Sequence, residues 1–362
     1  MSTYRDLGIP TSSSTVTVKV FDSIQAGDHG KVSIPAENFY APILPGHTKL
    51  ACPVFAFLIE HPASGTRVMF DLGLRKDLEN AAPPSAAFFQ QVLPNSERDV
   101  VDLLAVSGVP GESLSAVIWS HAHADHSGDM SRLPKTVDLV ISKDLSTATY
   151  ETDPHSVLLP SDFAGRKLVK IDFDTSKLKI GGFRAHDYFG DGSMYLLDVP
   201  GHQAGHICGL VRVTPTTFLL LGGDACHHPG ALRPTQAHQK HFPCPGALVE
   251  AVRKSVSAAH FSSGSVDAPF DLLARDKPVL HVHEAKFHAD AQLAQTSVDA
   301  LAVFDGNPDV FVVLAHDSSL LPLFDNNYPV VLNAWKEKGW KERNVWAFLQ
   351  EGNPAFRFDV RE

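Results

Sequence analysis

The ten residues Ser120–Asp129 read SHAHADHSGD and place His121, His123, Asp125 and His126 within six positions. A straight strand would send His121 and His126 to opposite faces, so these side chains can converge only from an irregular turn. Imidazole and carboxylate together suit borderline divalent cations, and the segment reads as a metal-binding loop. The plainer reading is a solvated polar loop. With 19 histidines in the chain some clustering is expected, but four ligand types on so tight a template argue against it. The preceding Ala116, Val117, Ile118 and Trp119 form a short apolar run rich in β-branched residues. That run predicts a buried strand with the loop at its C-terminal end.

The HxHxDH pattern of His121, His123, Asp125 and His126 resembles the signature of the metallo-β-lactamase superfamily. The resemblance implies an α/β fold, the four-layer αββα sandwich, with a dinuclear site at one sheet edge. Val199-Pro200-Gly201-His202 resembles the second element of that family, in which a Pro-Gly turn presents a histidine. Leu220-Leu221-Gly222-Gly223-Asp224 resembles the third, a strand ending in a carboxylate. The apolar run from Val310 ends in Ala315-His316-Asp317, similar to the GHD ending of family lactonases. Asp71, followed by Gly73, resembles an early D-x-G element whose aspartate orients a metal-binding histidine. By this resemblance one metal takes His121, His123 and His202, and the other takes Asp125, His126 and His316. Asp224 bridges both together with a water-derived hydroxide. His206 competes with His202, and His281 and His283 compete with His316.

Five imidazoles and two carboxylates without a thiolate suit two zinc ions, while iron, manganese or cobalt would also fit. Water between two dications is acidified toward neutrality, which makes hydrolysis the natural reaction. Asp125 could shuttle a proton and Asp224 would hold the nucleophile. His227 stands where related bacterial lactonases carry a tyrosine against the substrate carbonyl, and an imidazole there could donate to an oxyanion. The expected reaction is opening of a lactone or cleavage of an ester. A thioesterase using the same site is the alternative. A redox diiron reading loses its telling glutamate, because Ala124 occupies that place, and a non-catalytic binding protein would be expected to lack ligands that are all present here. Cys226 reads as a small buried hydrophobe rather than a ligand.

The elements that must position these residues are legible in outline. Val16–Phe21 predicts a first strand, and residues 23–50, rich in Gly, Pro and His, a lid-like loop. Pro53–Glu60 and Thr66–Asp71 predict a hairpin across a polar turn, and Glu97–Val106 a helix. Val137–Ser142 predicts a strand, and Leu168–Phe173 and Leu178–Ile180 a pair across Asp174-Thr175-Ser176. A hairpin is expected from His206 through Thr214-Pro215-Thr216 to Gly223, and helices over Ala247–Ala258 and His288–Phe304. Residues 225–246 read as an irregular piece of pocket wall, and Tyr188 and Phe189 as either entrance or packing residues.

The length of 362 residues with 44% hydrophobic content fits one catalytic domain, with a core over about 50–320. A strand and lid over 15–50 precede that core, and a Trp-rich extension over 321–362 follows it and reads as an anchoring segment. The net charge of −10 argues against nucleic acid as a partner. Four widely spaced cysteines are expected as free thiols. No apolar stretch of about 18 residues is present, so no membrane span is expected, and without a visible signal peptide the location is expected to be cytoplasmic. The expected partner is a small lactone, ester or thioester, with a homodimer possible.

Overall fold

The strongest apolar alternations in the chain become the strands of two stacked sheets. A computed structural model describes residues 3–24, 28–43, 47–93, 96–248, 276–283, 287–325 and 327–356. Its early strands are β1 (Thr17–Asp22), β2 (Ile34–Pro35), β3 (Tyr40–Ala41), β4 (Lys49–Leu50), β5 (Phe55–His61), β6 (Thr66–Phe70), β7 (Ala116–Ile118), β8 (Asp138–Ser142) and β9 (Leu168–Ile171). The later ones are β10 (Lys179–Ile180), β11 (Phe183–Asp187), β12 (Met194–Asp198), β13 (Ile207–Thr214), β14 (Thr217–Leu221), β15 (His281–Val282), β16 (Val310–Val313) and β17 (Val330–Val331).

The first sheet runs β17-β1-β5-β6-β7-β8-β9 and the second β10-β11-β12-β13-β14-β16. Antiparallel hairpins supply one half of the first sheet, and the pairs β6–β7, β7–β8 and β8–β9 are parallel. Because side chains alternate across a strand, Val18, Val20, Phe57 and Ile59 turn inward to meet Leu196, Val211, Leu219 and Val313 of the opposite sheet. The outer face of the first sheet, with Leu58, Met69 and Leu139, packs on Val100 and Leu104 of the helix Val100–Val106. The outer face of the second sheet, with Leu197, Leu210 and Leu220, packs on Val298, Leu301 and Phe304 of the helix Ala291–Asp305. Helix, sheet, sheet and helix make the expected αββα sandwich.

Local details differ from or settle the expectations. The segments around 168–173 and 178–180 do not pair with each other. β9 joins the parallel side of the first sheet and β10 the second, so the turn between them crosses from layer to layer. The Ala-rich, proline-interrupted stretch after residue 80 forms the helix Pro83–Val92. Two prolines fix its first turn, where their missing N–H groups cost nothing. Tyr188 and Phe189 pack against the core between the sheets, Phe189 stacked on His61 at 4.2 Å, and neither lines the cavity described below. The helix expected over 247–258 falls almost wholly outside the described residues.

The C-terminal tryptophans are buried. Trp335 stacks on Phe311 at 5.5 Å, and Trp346 donates its indole N–H to the Phe242 carbonyl at 2.7 Å. They anchor the tail against the second sheet and the 225–246 segment. That segment is itself fixed by Arg233, whose guanidinium donates to both oxygens of Asp305 at 2.6 and 3.0 Å. Among the described residues no helix is long and apolar enough to cross a membrane.

Candidate metal centre

Strand direction gathers the site at one edge. β6 and β7 run parallel, and β12, β14 and β16 also share one direction, so their C-terminal ends lie together. Asp71 follows β6, the SHAHADH loop follows β7, His202 follows β12, Asp224 follows β14 and His316 follows β16. Two backbone features shape these ends. Asp71 holds φ at 60°, a left-handed conformation uncommon for a residue with a side chain, and this turns its carboxylate back under the loop. Gly201 sits at φ 127°, where a Cβ would fall 2.2 Å from the Ala294 nitrogen, so only glycine lets the His202 turn press onto the helix Ala291–Asp305.

All seven expected ligands converge. His121, His123, His202 and Asp224 bring ligand atoms within 4.8 Å of one another, and so do Asp125, His126 and His316. His202 Nε2 lies 3.2 Å from His121 Nε2 and 3.0 Å from His123 Nδ1. Asp224 stands between the two groups, with Oδ1 3.0 Å from His126 Nε2 and 3.1 Å from His316 Nε2, and Oδ2 3.4 Å from His202 Nε2.

The rear edge of several rings is held, which points the other nitrogen into the centre. His126 Nδ1 donates to Asp71 Oδ2 at 2.8 Å, and Asp71 also accepts from the Ser120 backbone N–H and hydroxyl at 2.6 and 2.8 Å. His316 Nδ1 donates to the Pro53 carbonyl at 2.8 Å. His206 is not in the cluster. Its Nδ1 donates to the Val199 carbonyl at 3.1 Å and its Nε2 accepts from the Asp224 backbone N–H at 3.1 Å, so it fixes the Asp224 turn from behind. Asp71 and His206 are therefore supports rather than lining groups.

The donor atoms fit a cation better than they fit one another. His126 Nε2 and Asp224 Oδ1 are buried and lack a hydrogen-bond partner although they approach to 3.0 Å, because each aims past the other. Burial pushes His123 and His202 down to about 3, and neighbouring imidazoles add to the effect on His123, so these rings present lone pairs. Burial also disfavours charge on His126 and His316, but the surrounding carboxylates outweigh it and hold both well above the ordinary range. The carboxylates thus demand compensating positive charge at the centre, which is what divalent cations would supply. Cys226 stands apart, its thiol pushed up by burial and directed at the His228 carbonyl.

A cavity of about 200 Å³ opens onto this cluster. His123, Asp125, Asp224, His227 and His316 form its floor. Its walls come from the 34–52 segment, from the helix Pro83–Val92 and from Phe287. The lid-like loop does face the site. Of the 225–246 segment only His227 reaches the cavity, and the remainder packs elsewhere. His227 Nε2 meets Asp224 Oδ2 at 3.0 Å, and its ring stacks between Phe39 at 4.0 Å and His316 at 5.4 Å. His281, exposed on β15, and His283 just after it lie outside every potential ligand group among the described residues.

The sequence reading passes over His288. Its Nδ1 lies 3.2 Å from His202 Nδ1 and its Nε2 3.3 Å from the Phe39 carbonyl. With His202 presenting Nε2 to the centre, His202 Nδ1–H donates to His288, which in turn donates to Phe39. The residue closes the run VLHVHEAKFH, in which only the first two histidines drew notice.

Comparison with known proteins agrees with this geometry. Residues 50–307 match the sequence model of the family described as the metallo-beta-lactamase superfamily. The chain is 37% identical to metallo-hydrolase mfmC of Annulohypoxylon moriforme over 96% of its own length and 90% of that protein. It is 33% identical to gamma-lactamase FDB1 of Fusarium pseudograminearum, covering 96% of this chain and 84% of the relative. It is also 38% identical over 95% of its length to cytochrome P450 monooxygenase mpaDE of Penicillium roqueforti, of which it spans only 38%.

Proposed function

The chain belongs to the metallo-beta-lactamase superfamily and is a metal-dependent hydrolase, and from that premise we propose that it opens a lactone or cleaves an ester at a two-cation centre, zinc being the best match to the donors. The observation that carries this reading is the convergence of two ligand groups on Asp224, one of three histidines and one of Asp125, His126 and His316. Cations bound there would polarise a substrate carbonyl and make water acidic enough to attack it near neutral pH.

The side chains of the protein prepare that event. Asp224 is held by His227 Nε2 and by the tight turn that His206 braces, so its two oxygens face both ligand groups without reorganising. Asp125 is partly exposed at the cavity floor, placed to carry a proton between the reacting centre and solvent. His227, also on that floor, is proposed to orient Asp224 and to stand beside the developing oxyanion. The substrate is a small molecule, and a homodimer is compatible with the reading. A relative named as a gamma-lactamase brings cyclic amides into the range of carbonyl compounds worth testing.

The test is metal analysis of the purified protein combined with a panel of lactones, esters, thioesters and lactams, run beside His123→Ala and Asp224→Asn. Two equivalents of metal, turnover of lactone or ester, and loss of both activity and metal in the variants are expected. Tight binding of two metals with no turnover across the panel would overturn the proposal. A clear preference for thioesters would replace ester and lactone as the substrate.

A further inference from the structure

We propose that the cavity beside the ligand cluster holds the non-reacting part of an uncharged aromatic lactone or ester, with an oxygen substituent on that ring hydrogen-bonded to Ser85. The proposal rests on the hydrolytic reading above and names its substrate class.

The rings of the cavity form a continuous series. Phe89 meets Phe88 at 5.4 Å, Phe88 meets Phe287 at 5.7 Å, Phe287 meets Phe39 at 5.3 Å, and Phe39 stacks on His227 at 4.0 Å. His227 is hydrogen-bonded to Asp224, so the series leads from the outer wall to the candidate reaction centre. Interplanar angles of 27° to 60° along it present both ring faces and ring edges. A flat aromatic group gains offset and edge contacts from such a wall beyond the area that it buries, whereas a flexible alkyl chain gains area alone and loses rotamer freedom. Among the described residues no lysine or arginine lines the cavity. A charged group seated among the phenyl rings would lose its water with no counter-ion beside it, whereas at the floor a carboxylate would be drawn to bound cations.

One polar atom of the wall asks for a partner. Ser85 lines the cavity at only 4% exposure, and its Oγ makes no hydrogen bond. A buried hydroxyl left unmatched is costly unless a bound molecule completes it. Its place on the helix Pro83–Val92, one turn from Phe88 and Phe89, puts that hydroxyl beside the rings. The wall therefore reads as aromatic contact with one directed hydrogen bond.

The experiment uses the zinc-loaded protein and two matched sets of compounds. Chroman and hydroxychromans carry no cleavable bond and report binding by calorimetry. Dihydrocoumarin, its hydroxylated forms and N-hexanoyl homoserine lactone report kcat/KM. At least one hydroxychroman is expected to bind better than chroman, and Ser85→Ala should remove that preference, a change of about 3- to 10-fold, while leaving chroman itself unaffected. Phe88→Leu should weaken the aryl compounds and spare the homoserine lactone. A hydroxyl preference that survives Ser85→Ala, or faster turnover of the aliphatic lactone, would overturn the assignment. Chroman binding without hydrolysis of any compound would sink the reaction while keeping the cavity's ligand class, so the two readings fail separately.

Discussion

His288 shows how much of a candidate metal centre's behaviour can sit in a residue that the sequence motifs leave out. Its Nδ1 faces His202 Nδ1 at 3.2 Å, so the neutral His202 ring is fixed with its proton to the rear and its lone pair to the front. Its other nitrogen reaches the backbone of Phe39, which ties ligand orientation to the cavity wall. His288→Leu removes the acceptor, and metal affinity measured by competition with a chelator is expected to fall by about 10- to 100-fold. His288→Asn offers an amide oxygen near the place of Nδ1 and is expected to recover most of that loss. Rescue by asparagine would not follow if the residue served only to fill space, and unchanged affinity in the leucine variant would end the argument. The same logic explains Asp71, whose carboxylate is spent on His126 and Ser120 and has nothing left for a cation.

The connecting elements carry their own electrostatic cost, and Asp162 in the short helix Pro160–Phe163 is the clearest case. It is buried, accepts the Leu159 backbone N–H at 2.8 Å, and burial raises its carboxyl to about 6. A carboxyl whose folded value lies above its ordinary one favours the protonated fold. Its contribution is therefore complete below about pH 4 and fades as pH rises through about 6. Asp162→Asn keeps the acceptor and discards the charge. The variant is expected to be more stable than the parent at pH 7, by up to about 3 kcal/mol, and equal to it near pH 4. Thermal melts of the pair at the two pH values decide this, and a variant less stable at pH 7 would show that the neighbouring arginines outweigh burial. At this scale the sequence is an uneven guide. The strands that end in candidate ligands are plain because apolar runs stop at residues whose chemistry is distinctive. β9 and β10 are not, because two short apolar segments around a tight turn look the same whether they pair or part between layers. The helix Pro83–Val92 hides for a related reason, since its prolines read as breakers until their place in the first turn is known.

Across the whole molecule, the candidate centre is a seam between the two sheets. The SHAHADH loop hangs from the first sheet and His202, Asp224 and His316 from the second, so cations there would tie the layers at one edge. The residues that converge were readable from sequence because each sits in a local motif of polar residues. The cavity wall was not, because Phe39, Phe88 and Phe287 lie far apart in the chain and only the assembled fold makes them neighbours. Without cations the seam holds the buried carboxylates Asp71 and Asp224 and the partly exposed Asp125, together with imidazoles of which His123 and His202 are kept by burial from charging freely. Ligation binds the folded state alone, since the seven groups are scattered along the unfolded chain. At a free concentration of about 100 times Kd each site should add roughly 3 kcal/mol. For a chain of this size that corresponds to a Tm higher by at least several degrees. Exhaustive chelation is therefore expected to lower Tm by that amount, and added zinc to restore it. In Asp224→Asn, which joins both groups less well, the difference between stripped and loaded protein should shrink. A melt that ignores the chelator, in protein shown to have lost its metal, would mean that the sheets need no such tie and that the ligand cluster serves chemistry alone.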